Sequence, residues 1–299
     1  MGRAVRLPEA GVPAEAGSGL SKSAVSRRFK ALTQARLEEW MASDLSALDL
    51  VVIQIDGLHM DDTLSDARRG RGRCRWPQAP GSGVVEGATE NAATVQALLD
   101  TLIDRGLDPE VCRLFIVDGA KALTKAIRRT FGADIPIQRC QIHKARNITE
   151  RLDPKRHAAV RRALRQAWET DDAEKAERLL RNLARRMALE APGVSKSILD
   201  GLDEILTVIR LGLPLELRRS LASANIIESM TAVIRQVCRN VKRWRDAKMA
   251  LRWTAAGMLE AAEGFRRLKA HKQLPILKAA LLTQREADPT GVDQTVKAA

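Results

Sequence analysis

The apolar positions fall into two regimes along the chain. Between residues 50 and 142 they form short runs that end at carboxylates or glycines, and beyond 143 they recur at helical spacing. The stretch Leu50-Val-Val-Ile-Gln-Ile-Asp56-Gly57 is too short for a helix and rich in β-branched residues, as expected of a central strand buried on both faces. Residues Glu90 to Arg105 carry Ala93, Val95, Ala97, Leu98, Leu102 and Ile103 at helical repeat, closed by Gly106. Cys112-Arg-Leu-Phe-Ile-Val-Asp118-Gly119 then repeats the opening feature. A helix from Lys121 to about Phe131 and a strand over Ile135–Ile142 follow. This order predicts an α/β unit with neighbouring parallel strands, whose sites gather at the strand ends. A lone aspartate closing a buried strand is more often structural, by roughly two to one. Two strands that end alike bring Asp56 and Asp118 together as candidate ligands.

The remaining pattern is helical or irregular. From His143 to about Arg210 the chain reads as helices with solvated charged faces, broken at Pro192-Gly193, resuming at Ser195 and closing at Gly212-Leu-Pro214. A further helix, with Ser223 or Asn225 as cap, is expected to run from there toward Arg245. On it Arg235, Arg239 and Lys242 lie within about 40° of Glu228 around the axis, opposite Ile227, Ile234, Val237 and Val241. Taken alone, that stripe is an ordinary polar face. Near the N-terminus, Ser21 or Ser23 caps a helix to about Trp40 that carries Lys22, Arg27 and Arg28 outward and Val25, Phe29 and Leu32 inward. It reads either as the second half of a helix-turn-helix or as a solvated basic helix. Residues 64–82, with five arginines among glycines and prolines, have no period and predict a loop able to touch phosphates. His59, Asp61 and Asp62 cluster before it, as solvated carboxylates more than as a metal site.

Composition narrows the partner. At 299 residues and 45% hydrophobic content the chain can bury a sizeable core. Its 50 Lys+Arg against 37 Asp+Glu give a net charge of +13, which points to nucleic acid. No apolar run is long enough for a membrane span, and the first residues lack a signal-peptide core. Cys74, Cys112, Cys140 and Cys238 show no paired spacing, so a reducing cytoplasm is the expected setting.

Asp56, Asp118 and Glu228 together form a set of hard oxygen donors. Three such acids converge stably only around cations, Mg²⁺ first with Mn²⁺ able to substitute, and two ions so held suit in-line phosphoryl transfer. At this point Ile-Gln-Ile-Asp56-Gly, Gly83-Val-Val-Glu-Gly-Ala-Thr-Glu-Asn91, Phe-Ile-Val-Asp118-Gly-Ala-Lys-Ala-Leu, Gln-Arg-Cys140-Gln-Ile-His143-Lys-Ala-Arg-Asn-Ile and Asn225-Ile-Ile-Glu228-Ser-Met resemble the Mutator-like bacterial transposases of the insertion-sequence 256 family. The resemblance spans roughly residues 19–282. It implies a ribonuclease H-like mixed sheet with an all-α insertion, Asp56, Asp118 and Glu228 as a DDE triad, and cutting and joining of DNA at terminal inverted repeats and target DNA. A homo-oligomer on DNA is the expected working form.

The division this gives is a partial helix-turn-helix DNA-binding segment over 1–45, the core over 46–150 and 216–282, the helical insertion over 151–215 and a flexible tail over 283–299. Candidate DNA contacts are Arg27, Arg28, His143, Lys144, Arg146, Asn225, Arg235, Arg239 and Lys242. Cys140 and His143 match the family's Cys-x-x-His signature. Two ligands are too few for a structural zinc, so Cys140 is expected as a buried site-adjacent residue. The chain departs from the family in its short N-terminal region and in residues 64–82, which stand where a strand hairpin belongs and whose composition suits a disturbed reading frame. An active transposase and a non-catalytic DNA-binding remnant are therefore both carried forward.

Overall fold

A computed structural model describes residues 21–57, 72–75, 92–241, 243–264 and 268–287. His59, Asp61, Asp62 and Lys242 lie outside them.

The core is a mixed four-stranded sheet of β1 (Val52–Gly57), β2 (Gly72–Arg75), β3 (Leu114–Val117) and β4 (Ile137–Arg139), in the order β2-β1-β3-β4. β1, β3 and β4 are parallel, joined through α2 (Ala92–Asp104) and α3 (Lys121–Phe131). Side chains alternate across a strand, so a run apolar at every position must be covered twice. Ile53, Ile55, Phe115, Val117 and Ile137 pack against Val95, Leu98, Leu99 and Leu102 of α2 and Leu123, Ala126 and Ile127 of α3. Val52, Leu114, Ile116 and Cys140 face the other way, against Leu213, Leu217, Leu221, Leu277 and Leu281. The α/β expectation therefore holds, with helices dominating.

Two expectations about the sheet need correction. Residues 72–75, read from sequence as loop, form β2, which pairs antiparallel with β1 and sets Arg73 opposite Asp56. An edge strand is held by backbone hydrogen bonds on one side and does not need an apolar pattern, which is why periodicity missed it. β1 thus has a neighbour on each side. β4 stops at Arg139 and not at Ile142, because α4 (Gln141–Thr149) starts two residues later.

Beyond the sheet, α5 (Pro154–Glu169), α6 (Ala173–Ala188), α7 (Pro192–Leu199) and the short α8 (Leu202–Ile205) and α9 (Thr207–Arg210) enclose a core of their own, built on Ile148, Val160, Leu164, Leu180, Leu183 and Ile198. The helical run breaks at residues 189–191, just ahead of the expected Pro192-Gly193, and resumes at Pro192 instead of Ser195. Pro192 occupies the first turn of α7, where its missing N–H has no partner to lose. α10 (Leu215–Leu221), α11 (Asn225–Cys238), α12 (Ala247–Glu263) and α13 (Leu274–Ala287) complete the chain. α13 carries helix to residue 287, past the expected boundary at 282. α11 and α12 pack through Ile227, Met230, Ile234, Ala250 and Met258, at a separation that Gly257 permits: a Cβ there would lie 2.8 Å from the Ile234 Cα.

The N-terminal helix α1 (Lys22–Met41) begins at Ser21, whose hydroxyl accepts the Ala24 N–H. It leans on α12, with the Phe29 and Trp253 rings 5.1 Å apart. Thr33 is buried on this helix while Leu32, expected inward, is 42% exposed. Phe29 and Trp40 therefore carry the contact, and Leu32 does not.

Candidate functional site

The parallel register fixes where the strand ends fall. Val52 to Ile55 stand opposite Leu114 to Val117, and Phe115 to Val117 stand opposite Ile137 to Arg139. One residue further along, Asp56, Asp118 and Cys140 come level across three adjacent strands, roughly 5 Å from strand to strand. Asp56 is buried at 8% exposure and Asp118 is half-buried.

Local structure holds Asp118 in place. Its Oδ1 accepts the Ala120 N–H at 2.8 Å, closing a turn over Gly119, whose φ is +102°. A side chain there would fall inside the Arg139 guanidinium, which also packs under Gly201 at φ +64°. Arg139 donates to the Asp200 carboxylate at 2.8 Å and to its carbonyl at 3.1 Å, and this pairing holds the Asp200 carboxyl below its ordinary range. A buried cation thus supports the Asp118 turn from beneath. Sequence reasoning missed Arg139: without the strand register nothing ties it to Gly119.

Glu228 arrives from the far side of the helical insertion. The Ala224 N–H donates to Cys140 Sγ at 3.4 Å and the Gln141 N–H donates to the Ala222 carbonyl at 2.8 Å, which ties the β4–α4 junction to the start of α11. α11 then runs against β1, with Glu228 in its first turn. Ala224 occupies the cap position without a side-chain hydrogen bond, so neither Ser223 nor Asn225 caps the helix as expected. Glu228 Oε1 lies 3.5 Å from His143 Nε2. Contact with the Cys140 thiol, together with the Asp56 and Glu228 carboxylates, pushes His143 up to about 9 against the opposing effect of burial.

The structure therefore brings His143, Cys140 and Glu228 together, with Asp56 close enough to act on the His143 charge. Among the described residues, the metal-ligating atoms that lie within 4.8 Å of one another belong to Cys140, His143 and Glu228; Asp56 and Asp118 stand outside that group.

The basic candidates divide. Arg27, Arg28, Arg146, Asn225, Arg235 and Arg239 are exposed. Lys144 is not available to a phosphate. It is 2% exposed, its ammonium donates to the Asp200 carbonyl, and burial pushes it down to about 8. The stripe along α11 is also shorter than expected, since the helix ends at Cys238 and Arg239 is its C-cap.

Comparison with known proteins gives this geometry a context. Residues 82–267, more than half of the chain, match the family described as Transposase, Mutator family. The chain belongs to that family. It is 30% identical over 223 residues to the transposase for insertion sequence element IS6120 of Mycolicibacterium smegmatis, a match covering 73% of this chain and 67% of that one. It is 27% identical over 150 residues to the transposase for insertion sequence element IS905 of Lactococcus lactis, covering 49% and 36% respectively. As a Mutator-family transposase, the chain carries Asp118, Cys140, His143 and Glu228 inside the matched segment and Asp56 upstream of it. No helix among the described residues is long and apolar enough to cross a membrane.

Proposed function

We propose that the protein cleaves DNA strands and joins them at the terminal inverted repeats of an insertion element of the insertion-sequence 256 type, using Asp56, Asp118 and Glu228 on a ribonuclease H-like core. One observation carries this reading. Two carboxylates stand level at the ends of adjacent parallel strands, and a third is delivered by a helix packed on the first of those strands.

The donor set fits a hard cation. All three are carboxylates, and Glu228 Oε1 is buried without a hydrogen-bond partner among the described residues, a state that a bound cation relieves. Mg²⁺, or Mn²⁺ in its place, would supply Lewis acidity at the scissile phosphate and a more acidic attacking water or hydroxyl. The protein's own part is positional. The Ala120 N–H fixes one oxygen of Asp118, Arg139 braces the turn behind it, and the Cys140–Ala224 contact fixes where α11 begins. Arg27, Arg28, Arg235 and Arg239 offer exposed charge to the DNA backbone, where each phosphate contact adds affinity that salt weakens. The helical segment over 151–215 belongs in this reading as an insertion before the last acid, and α1 as one helix of a DNA-binding helix pair.

Strand cleavage of terminal-repeat DNA, with Mg²⁺ and with chelator, tests the proposal. Metal-dependent cleavage by the wild type and none by Asp118→Asn is the expected result. Cleavage that persists in Asp118→Asn refutes the triad. DNA binding without cleavage by either protein identifies the chain as a non-catalytic remnant.

A further inference from the structure

Cys140, His143 and Glu228 differ in softness from the three acids, and they are already assembled. Their ligand atoms lie within 4.8 Å of one another. Cys140 is fully buried at the end of β4, and His143 follows three residues later in the first turn of α4, so the ring returns over the thiol. Glu228 closes the group from α11, 3.5 Å from the imidazole. Two of the atoms, His143 Nδ1 and Glu228 Oε1, are buried and have no hydrogen-bond partner among the described residues. Buried polar atoms left without a hydrogen bond are rare in folded proteins, and a bound cation is one way to satisfy both.

A thiolate and an imidazole discriminate against Mg²⁺ and favour Zn²⁺, Co²⁺ and related ions. We propose that Cys140, His143 and Glu228 bind one thiophilic divalent cation, Zn²⁺ foremost, at a site adjoining the hard-cation acids and sharing Glu228 with them. Three protein ligands leave the fourth tetrahedral position open, the mark of a zinc site that exchanges ligands rather than a closed structural one. The Ala224 N–H on Cys140 Sγ supplies the outer hydrogen bond that a metal-bound thiolate requires. Binding releases the thiol proton, and any proton on the ligating imidazole nitrogen, to solvent. Sequence alone offered only a Cys-x-x-His pair, one ligand short; the fold supplies the third from 85 residues downstream of His143, since the entry of α11 is pinned to Cys140.

One consequence rests on the function proposed above. Glu228 engaged by a thiophilic ion is withdrawn from the hard-cation set, so Zn²⁺ acts as an inhibitor of Mg²⁺-dependent cleavage.

The site itself is tested without any activity. Metal-stripped full-length protein is titrated with Co²⁺, a spectroscopic stand-in for Zn²⁺. A single equivalent is expected to give the visible bands of four-coordinate cobalt together with a near-ultraviolet thiolate charge-transfer band, both erased by Zn²⁺. Cys140→Ser should remove the charge-transfer band, and His143→Ala should weaken Co²⁺ binding by about 100-fold. Cys238→Ser should leave spectrum and affinity unchanged. A folded wild type with no thiolate band, or a band that survives Cys140→Ser, overturns the proposal. Should Cys140→Ser fail to fold, X-ray absorption on the zinc-loaded wild type decides: one sulfur per zinc supports the site and none refutes it. Because the spectra do not require cleavage, a remnant without nuclease activity would still show the bands.

Discussion

Glu228→Gln is expected to slow strand cleavage by about 10³-fold while leaving the protein folded and bound to DNA. Glutamine has nearly the same shape, and the residue sits half-buried in the first turn of α11, so packing against β1 survives. What goes is a negative charge at the one position where the fold delivers it to the strand ends. Losing such a ligand removes several kcal/mol of transition-state stabilisation, and about 1.36 kcal/mol corresponds to each tenfold in rate. The stability changes are small by comparison. A carboxylate near a helix N-terminus contributes about 0.3–1 kcal/mol, and a partly solvated pair such as Glu228–His143 contributes no more than about 1 kcal/mol. Single-turnover cleavage measured beside thermal melting and DNA binding separates these effects. Cleavage at the wild-type rate would remove Glu228 from the acid set.

Gly119→Ala is expected to destabilise the fold by about 3 kcal/mol and to abolish cleavage with it. Two penalties combine. A residue with a Cβ at φ +102° bears roughly 1–2 kcal/mol of backbone strain, and forcing an atom into a filled interior adds about 1–3 kcal/mol. The second term arises because the methyl group would enter the space of the Arg139 guanidinium, which cannot retreat without leaving Asp200. Gly132 provides the comparison. Its φ is +100°, but nothing lies within 4 Å of the Cβ position, so Gly132→Ala carries the strain alone. Urea unfolding of the two variants should separate them by about 2 kcal/mol, with Gly119→Ala the weaker. Equal losses would mean that Arg139 does not fill the space beneath Asp118.

Much of this site was legible in the sequence because it lies where strong periodic signals end. β1 and β3 announce themselves as β-branched runs, and each stops at an Asp-Gly pair. Parallel pairing then does the rest, since α2 lies in the crossover that brings Asp56 level with Asp118. The features that were not legible share a different physics. β2 is held by backbone hydrogen bonds along one edge, so an arginine- and glycine-rich stretch forms it without any apolar period. Arg139 looks like a surface cation until the register places it beneath Gly119. Lys144 is a candidate DNA contact in the sequence, yet the Asp200 carbonyl draws its ammonium inward. The closeness of His143 to Glu228 depends on a chain reversal through six helices, α5 to α10, which local pattern cannot encode.

Whether Asp118 holds the proposed hard cation is tested most directly by changing the softness of that ligand. Asp118→Cys replaces a carboxylate that prefers Mg²⁺ with a thiolate that does not. Cleavage of terminal-repeat DNA by this variant is expected to fall by about 10³-fold in Mg²⁺ and to recover substantially in Mn²⁺, while Asp118→Ala stays inactive in both. Rescue by the softer ion in the cysteine variant alone would place the metal on residue 118. Equal cleavage in the two ions, or no recovery in Mn²⁺ from a folded and DNA-bound Asp118→Cys protein, would contradict the assignment of Asp118 as a metal ligand.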